Sequence, residues 1–374
     1  MPPRASSAEL SRDRAVRAIV SAHRALTCRC AGIDRDAERR TLVACSGGAD
    51  STALALALAS SSIPLVLAHV VHDVRPESEA LADRDHVRSL ASSLGVSFKE
   101  ASVRIRGLPG NLEANARRAR YAALAGLAAE SDAEIVATGH QADDVFETLL
   151  MRLMRGAGPR GLAGPAPCRP LSASGAGQAG RCWLVRPMLS VTRADAERIC
   201  RLDRDGPGSN WRLDSTNDDR SLLRNGVRAR IVPLMRELAP GVELRAARAS
   251  ETMRDVLRVW DERVTTLLRD ARRVEDGMDF SRRMLAEQPR ALIGAVIRAA
   301  ILEVCGDQGI DRVGASEMSR AVRAVLDGRA DRRSFGWGIG GSIVVVIDHE
   351  SVTIQTGGGG SGSEADRAGR ALRP

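Results

Sequence analysis

Lysine is all but missing from this 374-residue chain: Lys99 is the only one among 55 basic residues. The glycine turn described below therefore carries no Walker lysine of the G-x-x-x-x-G-K-[ST] kind. No run of about 18 apolar residues occurs, which argues against a membrane-spanning helix. The first nine residues have no apolar core of the signal-peptide type. Both absences fit a soluble cytoplasmic protein. The seven cysteines form no C-x-x-C pair, which disfavours a zinc ribbon or an iron–sulfur set. Reduced thiols are the simplest expectation. The positive charge, net +8, is thus almost wholly arginine. Guanidinium suits bidentate phosphate contacts, and a basic enzyme often has a polyanionic partner. The preference for arginine over lysine follows coding bias; the excess of positive charge is the part that bears on function.

The length suits two or three domains. Residues 8–26 have helical apolar spacing, with Val16, Ile19, Val20, His23 and Leu26 on one side. Strands are expected at 41–44, 64–69, 96–103 and 133–138. Helices are expected between and after them at 52–60, 81–94, 112–129 and 143–155. This alternation predicts an α/β fold: a parallel twisted sheet with helices on both faces. Ligands in such sheets sit past the carboxyl ends of the strands, where Ser46, His72 and Gly139 fall. Residues 184–188 and 194–202 return to order after a glycine-rich stretch, of which 172–180 has the composition of an insertion. Past Pro233 the pattern reads as helical to Val325. The expected division is therefore a catalytic domain over 1–238 and a smaller helical domain over 239–330. A short β element over 331–356 and a disordered tail over 357–374 follow.

Cys45-Ser46-Gly47-Gly48-Ala49-Asp50-Ser51 joins the first strand to the first helix that follows it. Two glycines let backbone approach an anion, and the helix N-terminus adds amides and positive potential. Asp50 beside phosphates requires a bridging cation, which makes magnesium the expected metal. The second motif, Thr138-Gly139-His140-Gln141-Ala142-Asp143-Asp144-Val145-Phe146-Glu147, also ends a strand and opens a helix. Asp143, Asp144 and Glu147 are spaced to share one helical face. Three clustered carboxylates point to magnesium binding or to a cationic substrate. A third motif carries Arg152, Arg155 and Arg160 from a helix end into a glycine loop, as C-terminal helix charges or as a phosphate clamp. A fourth runs from Trp211-Arg212-Leu213-Asp214 through Asn217 to Arg224-Asn225-Gly226-Val227-Arg228. Trp211 either covers core or stacks on a base.

In order along residues 40–235 these segments resemble the tRNA(Ile)-lysidine synthetase family of the N-type ATP pyrophosphatase superfamily. The resemblance rests on S-G-G-x-D-S and on His72-Asp73-Val74-Arg75. It rests also on Glu113-Ala114-Asn115-Ala116-Arg117-Arg118-Ala119-Arg120-Tyr121, on the Gly139 block and on Arg186-Pro187-Met188-Leu189. The R-G-x-G-x-x-G-L and D-x-x-N…R-N-x-x-R blocks are the most specific. Departures are Gln141 for a second histidine, Asp73 for glycine, Val145-Phe146 for a more polar pair and Leu222 for tyrosine. The region past 330 is short beside long family members, so a full C-terminal RNA-binding domain is expected to be missing or reduced.

The resemblance implies an adenine nucleotide alpha hydrolase-like fold and an ATP-dependent ligase. Its substrates would be ATP with Mg2+, free L-lysine and tRNA(Ile) with a CAU anticodon. The wobble cytidine would be adenylated at its C2 carbonyl, and the lysine ε-amine would then displace AMP. Ser46, Gly47, Gly48, Ala49, Asp50 and Ser51 would hold ATP. Asp50, Asp143, Asp144 and Glu147 would be catalytic, with Asp50 and Asp144 on the metal. Arg117, Asp143 and Glu147 would bind lysine; Arg152, Arg155, Arg160, Arg224 and Arg228 would bind tRNA. A homodimer is left open. The rivals are a tRNA thiolase, which generally needs cysteine pairs; an ammonia-using ligase, for which no glutaminase segment is present; and a non-catalytic RNA-binding relative, against which the intact acids argue.

Overall fold

The computed structural model describes residues 5–73, 76–171, 182–204, 206–212, 223–305, 313–327, 332–337 and 343–357. The segments 172–180 and 213–222, which include Asp214, Asn217 and Leu222, lie outside the described residues, as do Val74, Arg75 and the tail past 357. The chain divides into two compact units, Met1–Arg254 and Asp255–Pro374, a later division than the expected one at Leu238.

The first unit begins with α1 (Ala5–Arg12), α2 (Arg14–Ala31), β1 (Thr41–Ala44), α3 (Ala49–Ala59), β2 (Leu65–His72) and α4 (Glu77–Leu94). It continues through β3 (Ser97–Val103), α5 (Leu112–Glu130), β4 (Ile135–Thr138), α6 (Ala142–Met154) and α7 (Pro159–Leu162). Then come β5 (Cys168–Leu171), β6 (Cys182–Val185), α8 (Arg193–Leu202), α9 (Leu223–Gly226), a π-turn over Val227–Ile231, and α10 (Val232–Leu238). The divide falls within α11 (Val242–Arg269).

The sheet order is β3-β2-β1-β4-β6-β5, parallel except for the edge strand β5. Its central strands are mostly apolar because both faces are covered. Val43, Leu67, Ile135, Ala137 and Val185 pack with α2, α3, α4 and α8. The alternate residues Leu42, Ala68, Val136 and Leu184 pack with α5. The chain runs outward from β1 through β2 to β3 and returns on the other side of β1 as β4. That reversal opens a crevice past the ends of β1 and β4.

The single helix expected over 8–26 is two helices. Asp13 breaks it, its carboxylate capping α2 at the amides of Ala15 (2.8 Å) and Val16 (3.1 Å). The second strand runs on to His72, held by β3 through the pairing of His69 with Glu100 and His72 with Val103. Cys30 and Cys168 are joined as a disulfide, against the expectation of reduced thiols throughout; α2 packs beside β5, bringing together residues 138 apart in sequence. No described helix is long and apolar enough to cross a membrane.

The second unit is not wholly helical up to Val325. Within it β7 (Arg272–Val274) and β8 (Gly277–Ser281) form a hairpin, followed by α12 (Arg282–Ala286), α13 (Arg290–Cys305) and α14 (Ala315–Leu326). Strands β9 (Arg333–Trp337), β10 (Ile343–Ile347) and β11 (Ser351–Thr356) complete one antiparallel sheet in the order β7-β8-β11-β10-β9. Met278 and Phe280 turn inward while Asp279 pairs outward with Arg272, a period of two too short to stand out between helices. A turn at Asp348-His349 joins β10 to β11, with Asp348 accepting from the amides of Glu350 and Ser351.

Candidate active site

The loop after β1 is closed by its own side chains. Ser51 Oγ donates to the Gly48 carbonyl (3.1 Å) and accepts from the Ser46 amide (3.1 Å). Gly47 has φ +87°, which a side chain would strain. Gly48 is extended and caps α3, so the first-turn amides from Ala49 onward have no partner within the helix. The Arg212 amide donates to Gly47 O (2.9 Å), and Arg212 Nε is held by Asp83 (3.0 Å). Across the crevice, Gly139 lies so close to α3 that a Cβ there would stand 2.9 Å from the Asp50 carbonyl. This close approach, rather than a turn, explains the glycine.

The α6 acids do not share one face. Gln141, where the resemblance suggested a second histidine, caps the helix: its Oε1 accepts from the Asp143 amide (2.6 Å), and Asp144 Oδ2 accepts from the Gln141 amide (3.1 Å). Asp143 points away from the crevice. It accepts from the Arg193 amide (2.9 Å) and pairs with Arg236 of α10. Its carboxyl is pushed up by burial, against the pull of these two partners. Adjacent helical residues differ by about 100° in direction, so Asp143 cannot follow Asp144 into the crevice. Glu147 is also buried behind the wall, bonded to Arg224 Nε (2.9 Å) and Arg228 Nε (2.7 Å). Asp144 alone of the three lines the cavity, with Arg224 Nη2 at 2.8 Å.

Asp50 completes the acidic side. Arg193 Nη1 is 3.4 Å from its Oδ2, while its Oδ1 is buried without a hydrogen-bond partner. Burial, with Asp144 and Asp143 nearby, raises this carboxyl to about 7 even against Arg193. Among the described residues no three His, Cys, Asp or Glu form a metal cage. One bare carboxylate oxygen at a phosphate loop, with Asp144 on the same cavity, is a donor set that would suit magnesium, a hard cation that takes oxygen ligands.

The cavity between these elements measures about 490 Å³ and includes Ser46, Asp50, His72, Arg117, His140, Asp144 and Arg224 in its lining. His140 is kept neutral: burial and the guanidiniums of Arg186, Arg117, Arg120 and Arg224 push its pKa well down. The arginines expected to serve one RNA-binding role divide. Arg224 is engaged by Asp144 and Glu147, and Arg228 by Glu147. Arg152 Nη1 holds Gly161 O (2.6 Å), a loop-bracing role, whereas Arg155 and Arg160 are exposed. That loop is braced further by Ser250 Oγ on Leu162 O (3.2 Å) and Arg254 on Ala163 O (2.7 Å). Trp211 packs on the main core under Arg201.

Arg193 and Arg236 were not singled out from the sequence, and Arg212 entered only as part of the fourth motif. Only Arg193 had a local signal: the Thr192-x-x-Asp195 capping box places it in the first turn of α8.

A phosphate loop at a sheet's switch point, with a metal-competent aspartate beside it, defines a PP-loop ATP-binding domain. The PP-loop domain family matches residues 21–235, more than half the chain. Within that class the chain belongs to the tRNA(Ile)-lysidine synthase family. It is 34% identical over 291 residues to the tRNA(Ile)-lysidine synthase of Nostoc sp., covering 73% of this chain and 80% of that one. It is 33% identical over 286 residues to that of Symbiobacterium thermophilum, covering 71% and 56%. With that of Geobacter sulfurreducens it shares 35% over 298 residues, covering 77% and 59%. The chain thus spans most of the first relative and under two thirds of the other two.

Proposed function

We propose that this chain ligates L-lysine to C2 of the wobble cytidine of an AUA-reading tRNA(Ile), using ATP and releasing AMP and pyrophosphate. The observation that carries this reading is the single cavity that joins the phosphate loop, Asp50 with its bare oxygen, and Arg117. Ser46 and the amides of the α3 turn bind the pyrophosphate portion. Asp50 and Asp144 would hold Mg2+, which would offset charge on the departing pyrophosphate. The cytidine O2 attacks the α-phosphorus and pyrophosphate leaves. The neutral ε-amine of lysine then attacks C2, AMP leaves with the O2 atom, and the amine gives up its proton. Arg117 takes the lysine carboxylate. Asp144 faces its amine, and Glu147 and Asp143 act from behind by fixing Arg224, Arg228 and Arg236. Exposed Arg155 and Arg160 contact tRNA phosphates, and the second unit adds backbone contacts through its own arginines. The setting of such an enzyme is the cytoplasm.

The test is pyrophosphate and AMP release on a CAU-anticodon tRNA(Ile) transcript with lysine, ammonia or sulfide as the second substrate. Lysine-specific AMP release is expected. Turnover with ammonia or sulfide but not lysine would overturn the reading in favour of another adenylating enzyme.

Three further outcomes follow from particular contacts. Gly139→Ala forces backbone apart at Asp50, and overpacking of about 1–3 kcal/mol should lower kcat/KM for ATP by roughly tenfold to a hundredfold. Wild-type kinetics in that variant would show the close approach to be irrelevant. Arg193→Ala removes the partner of Asp50 Oδ2 and should raise KM for magnesium-ATP by about three- to tenfold, with Arg193→Lys partly restoring it. An unchanged KM with a lower melting temperature would leave Arg193 a purely structural role. Reversal of Arg155 and Arg160 to glutamate should raise KM for tRNA while the ATP affinity stays constant. Equal losses for both substrates would place these arginines elsewhere in the mechanism.

A further inference from the structure

Tyr121 is the only tyrosine of the chain, and three guanidiniums stand near its ring. Arg117 and Arg120 of α5 lie 5.2 and 5.6 Å from the ring centroid, and Arg169 of β5 lies 4.8 Å from it. Among the described residues, none of the three forms an ion pair. The other two arginines of the cavity lining are neutralised: Arg224 by Asp144 and Glu147, and Arg228 by Glu147. A fourth cation, Arg186, is buried alongside. Burial would raise the Tyr121 phenol, yet Arg117, Arg186 and Arg120 outweigh it and pull its pKa down.

Gathering like charges is unfavourable, and a tyrosine face compensates each by only about 0.5–1 kcal/mol at an exposed site. The cluster therefore fits an anionic occupant. Its layout narrows which one. Arg117 and Arg120 line the cavity, but Arg169 does not. A lysine carboxylate bound at Arg117 inside the cavity carries one charge and has no use for a cation beyond the rim. ATP phosphates have their own loop at the start of α3. A polynucleotide whose base enters the cavity must continue outside it, with one phosphate charge per nucleotide.

We propose that Arg120 and Arg169, held against Tyr121 beside Arg117, form a phosphodiester-binding site for the tRNA strand next to the modified cytidine. The inference rests on the function proposed above and extends it to a place on the RNA. The site grips backbone without reading sequence and helps hold the target base out of its stack.

The experiment uses the full chain with Arg120→Gln, Arg169→Gln, the double variant and the two Arg→Lys variants. The probe is a CAU anticodon stem-loop RNA, titrated across a salt series, with KM for lysine and ATP measured in parallel. Each glutamine variant should weaken RNA binding at low salt by about three- to tenfold and reduce the slope of log K against log salt by about 0.7–0.9. The double variant should lose about twice that slope, the lysine variants should keep it, and KM for lysine and ATP should stay at wild-type values. An unchanged slope in enzyme that still makes lysidine removes this site alone. A raised KM for lysine with normal RNA binding also removes it, by making the cluster a carboxylate site. Loss of slope in a protein that binds the RNA but makes no lysidine keeps the site and removes the function.

Discussion

Asp50→Asn is expected to lower kcat/KM for ATP by about a thousandfold, in line with roughly 10²–10³ for removing one preorganised electrostatic group in other enzymes. The substitution keeps the shape of the side chain and removes the charge of the bare Oδ1, the atom best placed for a magnesium ion. The pH dependence has a definite sign. Burial raises the Asp50 carboxyl from its ordinary 3.8 to about 7, so below that pH the free enzyme holds a proton where a cation should bind. Wild-type kcat/KM for ATP should therefore fall as pH drops through about 7, and the residual activity of Asp50→Asn should lack that step. Stability moves in the opposite direction. A carboxyl with a raised folded pKa burdens the free protein above about pH 7, and the burden is relieved as pH falls toward the unfolded value. Asp50→Asn should thus melt higher than wild type near pH 8 in the absence of ATP. Wild-type pyrophosphate release by this variant would remove Asp50 from the mechanism.

Glu147→Ala should produce the second largest loss, through its neighbours rather than through substrate. Glu147 has 3% of its side chain exposed and bonds both Arg224 and Arg228, which are 34% and 37% exposed. Breaking a fully buried ion pair costs about 3–5 kcal/mol; partial solvation of these arginines reduces the expectation to roughly 2 kcal/mol. For a unit of this size that corresponds to a fall of roughly 4–8 °C in Tm. Activity should fall by about a hundredfold, because Arg228 without Glu147 can turn toward Asp50, whose charge it already feels, while Arg224 keeps only its contact to Asp144. Glu147→Ala combined with Arg224→Ala should recover part of the lost stability, which a double-mutant cycle measures as a coupling. Strict additivity of the two substitutions would contradict the linkage.

How far the sequence could be read depended on the range of the interactions involved. The parallel sheet was legible because its central strands are apolar on both faces and each is followed by a helix-period segment. The phosphate loop was legible because its chemistry is carried by consecutive residues. What escaped was long-range. Arg224 and Glu147 meet across 77 residues, and nothing local marks them as partners. The identity of the acid that faces the cavity depended on helical phase at the α6 N-terminus, which Gln141 sets by capping. The β7–β8 hairpin was hidden by the helices on either side, since its pairing partner β11 lies far along the chain. Asp73, a departure from the family pattern, has a local role only the fold reveals: it accepts from the Ile105 amide (2.7 Å) and anchors the turn after β3.

The central claim is that this cavity transfers lysine to an adenylated cytidine. It is tested most directly by incubating the protein with CAU-anticodon tRNA(Ile), ATP, Mg2+ and ¹⁵N-labelled lysine, and then weighing the wobble nucleoside by mass spectrometry. The expected product is cytidine enlarged by one labelled lysine less one water, formed only when ATP is present and with one AMP released per base modified. An unmodified wobble cytidine, with ATP consumed or not, would contradict the account.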